Sequence, residues 1–234
     1  MDEKETSSKN KKLIKEETKK KSKKTKKERK IEKELLLIAG FMGFLVLMFF
    51  FVSSVFKSLN NFEYQGLEFK KERVGEIPVY HYSYYFKDAG GKVFQYNLYL
   101  RYDPRENNVT VEGGDIEFSA NKKTFITLNE TESLQQCRES VLAIAGLTSF
   151  LTDNRLSVGG GNADFWEAGR KGQEWITCEN KPSNVVINIA EGDETKVKIN
   201  GKCHEITVAN CEILQATERY EIESILDAKK SGDI

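Results

Sequence analysis

The sequence predicts an α+β protein. One transmembrane helix near the N-terminus is followed by a single external domain, a mostly antiparallel β-sheet packed by one amphipathic helix over 133–152. Three observations carry this reading. Residues 35–56 form an apolar bar without a single charge. Beyond it, two stretches alternate aromatic and polar side chains with the period of a half-buried strand. Further on, Leu134, Cys137, Val141, Ile144, Leu147 and Leu151 recur at steps of three and four, the period of a helix face.

The 36 basic and 36 acidic residues cancel in number but not in position. Residues 1–34 hold 15 Lys and Arg against 8 Asp and Glu, so the acidic excess falls entirely on residues 57–234. A basic tail, an uncharged bar and an acidic globular segment exclude an ordinary soluble enzyme. A single bar excludes a polytopic channel or transporter.

The tail, 1–34, is built from Lys, Glu, Ser and Thr, with little apolar surface to offset the entropy of ordering. It reads as cytoplasmic and disordered, or partly helical where it meets the bar. Its simplest role is to set topology. Contact with anionic lipid, at about 1 kcal/mol per basic residue, is the second reading. No aromatic or glycine interleaving points to nucleic acid.

The bar, Leu35 to Phe56, reaches about 33 Å as a helix, enough for the roughly 30 Å hydrocarbon core. Val52-Ser53-Ser54 also offers the small residues of a signal-peptide cleavage site. The long N-terminal region and the length of the bar favour an uncleaved anchor instead. Lys and Arg crowd the N-terminal flank, from Lys19 to Lys33, and thin out after Lys57. This places the N-terminus in the cytoplasm of a single-pass cell-membrane protein, with 57–226 outside. Gly40 and Gly43 are three apart and make no GxxxG contact motif.

In the external segment, Tyr80, Tyr82, Tyr84 and Phe86 alternate with polar residues, as do Phe94, Tyr96, Leu98, Leu100 and Tyr102. The two runs form an antiparallel hairpin with one aromatic face on a core. Parity then gathers His81, Ser83, Asn97, Tyr99 and Arg101 on the wetter face, the one candidate ligand-binding group. Val109–Glu112 and Asp115–Phe118 flank Gly113-Gly114 as a second hairpin, and Lys123–Leu128 is a further strand. The helix follows, opened by a capping box of Ser133 and Gln136. Residues 157–173, with three successive glycines, read as an irregular connection. Strands resume at Glu174–Cys178, Asn184–Ala190, Glu194–Ile199 and Lys202–Val208, the last two joined at Asn200-Gly201. Residues 211–226 fit strand by period and helix by composition, and 227–234 are expected to fray.

Cys137, Cys178, Cys203 and Cys211 all lie in the external segment, and an even number there reads as two disulfides with three possible connectivities. The preferred pairing is Cys137–Cys178 with Cys203–Cys211. The second bridge needs a bend near Ala209-Asn210, because an extended run of that length holds its ends about 26 Å apart. The spacings contain no zinc pair and no C-x-x-C. His204 beside Cys203 makes no nucleophile pair, because neighbours on a strand point apart. Gly159-Gly160-Gly161 lacks the context of a phosphate loop, and Asp153 and Asp164 have no fixed spacing as an acid pair. No motif calls for a cofactor or metal. Asn108 and Asn129 each open an N-glycosylation sequon.

Val208-Ala-Asn-Cys-Glu-Ile-Leu-Gln-Ala-Thr-Glu-Arg-Tyr220, with Leu100-Arg-Tyr-Asp-Pro-Arg105 and Cys178-Glu179, resembles uncharacterised single-pass membrane proteins of archaea with small genomes. The resemblance spans most of residues 60–226 and implies no activity. The sequence therefore points to a non-catalytic component of an envelope or membrane complex. Such a protein presents an extracytoplasmic interaction domain to a protein partner. A membrane-tethered hydrolase or ligand-binding receptor, using the outer face of the 79–102 hairpin, is the alternative.

Overall fold

The computed structural model describes residues 30–31, 33–55, 60–87, 90–119, 121–129, 134, 136–232 and 234. The chain forms two compact units, 1–59 and 60–234. In the first, Lys33–Val55 is a continuous helix, α1, long and apolar enough to cross a membrane. Its described side chains are exposed.

The second unit begins with a four-stranded antiparallel meander, β1 (Asn61–Tyr64), β2 (Leu67–Val74), β3 (Ile77–Lys87) and β4 (Val93–Leu100), in that order. The expected hairpin is its β3–β4 half. Tyr80 faces Leu100 and Phe86 faces Phe94, and that parity buries Leu67, Phe69, Tyr80, Tyr84, Phe86, Leu98 and Leu100 on one side. The β1–β2 hairpin, absent from the sequence reading, turns on Gln65-Gly66, both with positive φ, as a tight two-residue turn requires.

The second sheet corrects the expectation of a mostly antiparallel domain. Its strands are β5 (Thr110–Gly113), β6 (Lys123–Leu128), β7 (Ser157–Asn162), β8 (Val186–Glu191), β9 (Lys196–Asn200) and β10 (Cys203–Val208), in the order β5-β9-β10-β8-β6-β7. Only the β9–β10 hairpin is antiparallel; the other pairings are parallel. Asp115–Phe118 is no strand, and β5 pairs with β9 instead. Gly113 allows that approach: a Cβ there would stand 2.0 Å from the Ile199 carbonyl oxygen. The glycine run 159–161, expected as a loop, is the centre of edge strand β7. A Cβ on Gly161 would meet Ile176 Cδ1 at 2.6 Å and the Glu174 carbonyl oxygen at 2.8 Å, so the strand forms because its glycines let these neighbours close in. Glu174–Cys178 makes a single bridge, Trp175 to Asn162, in place of a strand.

Helices α2 (Ser140–Asp153), α3 (Phe165–Lys171) and α4 (Ile213–Ser231) complete the domain. The capping box expected at Ser133 falls outside the described residues; α2 begins at Ser140. Helix α2 touches the meander through Phe150 on Tyr96 and packs against α4 and β7. Helix α4 resolves the ambiguity of 211–226 and continues through Ser231, where fraying was expected. It is buried on both sides because it reaches both sheets: Glu218 meets the end of β4, and Tyr220 meets His204 on β10. That two-sided burial is why no clean one-faced period shows in its sequence.

The disulfides are Cys137–Cys211 and Cys178–Cys203, correcting the preferred pairing. The bend after β10 exists, with Asn210 and Cys211 both at positive φ, but it turns Cys211 towards Cys137. The reason is topological. Helices α2 and α4 each follow a strand of the parallel set and start at the same end of it, so the cysteines preceding them meet, with Cα atoms 5.3 Å apart. Cys178 packs against the small cluster of Phe125, Ile176 and Val186, and Val186 lies beside Cys203 in the β8–β10 register.

Candidate functional site

The meander's outer face carries the group expected from parity. Strand register lines up Lys70, His81 and Tyr99 across β2, β3 and β4, and sets Ser83 opposite Asn97. His81 Nε2 lies 3.1 Å from Asn97 Oδ1, which selects the tautomer with the proton on Nε2. Its Nδ1 then looks towards Glu72 Oε1 at 3.7 Å. The Tyr99 ring stacks on the imidazole at 4.6 Å between centroids. Arg101 stands apart, beyond the end of β4, and its backbone N–H donates to Glu218 Oε1 at 2.6 Å.

Two residues that the sequence reading missed complete the row. Glu72 pairs with Lys70 at 2.7 Å, and that hydrogen bond, with the nearby His81, holds the Glu72 carboxyl below its ordinary range. Both sit on β2, where Leu67 and Phe69 already alternate with charged residues; that short alternation was the available signal. Glu68, Lys70, Glu72, His81, Ser83 and Lys229 border an open depression of about 500 Å³. Charges of both signs meet there, and Asn97 and the stacked Tyr99 ring orient the His81 imidazole. The arrangement suits recognition of a polar surface by hydrogen bonds and aromatic contact.

The interior holds further polar groups. His204 is fully buried; its Nδ1 accepts from the Tyr220 hydroxyl at 2.6 Å and its Nε2 donates to the Gly201 carbonyl at 3.0 Å. Burial lowers its pKa to about 4, which keeps the ring neutral. Glu218 accepts from the Arg101 and Tyr102 backbone N–H groups, which stabilise the carboxylate, yet burial prevails and lifts its pKa to about 7. Glu221, one helical turn on, is pushed well above its ordinary value by burial and then by Glu218. These groups join elements. His204 ties β10 to α4, and Glu218 ties β4 to α4.

Of the remaining sequence candidates, Asp164 caps α3 by accepting from the Trp166 and Glu167 N–H groups. Asp153 is exposed at the last position of α2. Asn108 and Asn129 are exposed. A second open depression, about 510 Å³, is walled by Phe165, Trp166 and Trp175. The Phe165 ring meets both indoles edge-on, and Trp175 Nε1 donates to the Ala163 carbonyl. The sequence reading took Phe165 and Trp166 as part of a loop and Trp175 as part of a strand, and assigned these aromatics no role. Compared with protein-family models, curated proteins and solved structures, the chain finds no match.

Proposed function

We propose that the chain is a single-pass membrane protein, N-terminus in the cytoplasm, that presents an extracytoplasmic interaction domain to a partner in the membrane or envelope. The observation that carries this is a pairing of features. An apolar helix flanked by a basic tail leads directly into a domain joined by two disulfides. Disulfides belong to the oxidising side of a membrane, and the basic flank to the cytoplasmic side. The outer face of the meander, centred on His81 and Tyr99, is the partner surface. Labelling sealed cells with a membrane-impermeant amine reagent should modify lysines of the domain and spare those of residues 1–33; the reverse pattern refutes the orientation. Cross-linking from the Tyr99 face in native membranes should yield a reproducible protein product that is lost in Tyr99→Ala. A product unaffected by that substitution assigns the partner to another surface.

A second reading is favoured by the depression beside His81 and Ser83, which could hold a small polar ligand. There, His81→Ala with Ser83→Ala should abolish a measured binding or turnover while the domain stays folded.

A further inference from the structure

Strand β4 is one edge of the meander, and its hydrogen-bonding parity follows from the β1–β2 turn. A tight two-residue turn closes on a hydrogen-bonded pair, here Tyr64 with Leu67. Along an antiparallel ladder each residue sends its N–H and C=O to one side, and the next residue sends its own to the other. Leu67 and Phe69 therefore bond to β1, while Lys70, Glu72 and Val74 bond to His81, Val79 and Ile77 of β3. The alternate residues of β3, Tyr80, Tyr82, Tyr84 and Phe86, bond in turn to Leu100, Leu98, Tyr96 and Phe94. Two observations agree with this parity. Pro78, which has no N–H, falls on the side of β3 that faces away from β2, just beyond the reach of β4. Arg101, the first residue past β4, falls on the outward parity, and its N–H donates to Glu218.

The outward residues of β4 itself are Val93, Gln95, Asn97 and Tyr99, and all four are exposed. Among the described residues, no other strand or helix runs along that side. The other sheet edges are short or bridged. Strands β1 and β5 have four residues each, and β7 is bridged at Asn162 by Trp175. Strand β4 has eight residues without a charge, a proline or a glycine, so it lacks the features that keep an edge from pairing. Beneath it, Phe150 of α2 packs on Tyr96, and α2 carries no charge before Asp153.

We infer that β4 pairs with β4 of a second copy of this chain, antiparallel about a two-fold axis at Tyr96, so that two meanders join into one sheet. Self-complementarity identifies the occupant. In this register Val93 stands opposite Tyr99 and Gln95 opposite Asn97, and the two-fold repeats both pairs, so every outward residue of both copies finds a partner. Val93 (54% exposed) and Tyr99 (53% exposed) are the strand's exposed large apolar side chains, and each covers the other as a branched–aromatic pair. No charges oppose one another along the strand, as suits the core of an interface between identical chains. Neighbouring registers fit less well. A shift one way calls on the Arg101 N–H that Glu218 already holds, and a shift the other way sets Tyr99 against Gly91, outside the strand. The inference goes beyond the outer-face reading given above and does not depend on it.

Proline substitution tests the parity directly. Gln95→Pro removes only an outward N–H, so the domain should fold with a urea midpoint near that of the wild type. Sedimentation equilibrium of the full chain in nonionic detergent should show wild-type dimers. Gln95→Pro should raise their dissociation constant by about thirty-fold or more, because the two-fold doubles each lost hydrogen bond. Should that variant misfold, Gln95→Lys with Asn97→Lys sets lysines directly opposite one another and should also give monomers. A photoactivated benzophenone in place of Val93 should join two copies of the chain in native membranes, at a peptide containing Tyr99. A wild-type chain that stays monomeric overturns the proposal. A dimer that neither variant weakens overturns it too, because another surface, such as α1, then holds the copies together. Cross-linking from position 93 to a different protein also overturns it and assigns the edge to a foreign strand. None of these outcomes touches the orientation of the chain, which the amine labelling decides.

Discussion

Acidification provides a test of the interior through one residue, His204. Its pKa is lowered from 6.5 to about 4 by burial, so the unfolded chain binds a proton that the folded chain refuses between those values. Stability contributed by this group is present above pH 6.5 and lost as pH falls towards 4. By linkage the loss at pH 5, relative to pH 7.5, is about 2 kcal/mol, and approaches about 3 kcal/mol near pH 4. Glu218 and Glu221 act in the opposite sense. Their raised pKa values contribute stability that is full below 4.5 and lost as pH rises through the folded values, about 7 for Glu218. The wild-type profile is therefore a sum, and a difference isolates the histidine. His204→Gln offers an N–H to Gly201 and an oxygen to Tyr220 but does not titrate. Urea unfolding of the full chain in nonionic detergent, followed by tryptophan emission at pH 7.5 and 5, measures both proteins. The variant should be less stable at pH 7.5, and its deficit should shrink by about 2 kcal/mol at pH 5. Parallel profiles for the two proteins would refute a neutral buried imidazole.

Other consequences are local. Cys137→Ala with Cys211→Ala opens a loop of 74 residues and should cost about 4.5 kcal/mol, against about 3.5 kcal/mol for Cys178→Ala with Cys203→Ala across 25, read from urea midpoints. Peptide mapping without reduction should recover those two pairs and no others. Gly161→Ala should destabilise by about 1–3 kcal/mol, because its Cβ would collide with Ile176 and the Glu174 carbonyl, whereas Gly160→Ala, with open space, should be near neutral. Tyr220→Phe leaves the buried His204 Nδ1 without a donor and should cost about 1–3 kcal/mol by the same unfolding assay.

Parity made the β3–β4 hairpin legible, because the aromatic face of Tyr80, Tyr84 and Phe86 repeats over enough residues to outweigh alternatives. The apolar helix was legible for the same reason of length. Elements set by tertiary approach were not. Strand β7 has no side-chain period, because three of its six residues are glycines, two of which, Gly159 and Gly161, allow the close approach of Phe125 and Ile176. Helix α4 buries Glu218, Glu221 and Ser224 alongside its apolar residues, so polarity along it does not mark a solvent face. The Cys137–Cys211 disulfide depends on where two helices begin in a parallel set, and Cys178–Cys203 on the register of β8 with β10, neither of which spacing along the chain encodes. At the candidate site, parity gathered His81, Ser83, Asn97 and Tyr99, but their charged neighbours Lys70 and Glu72 came from a strand with only two apolar repeats to reveal it.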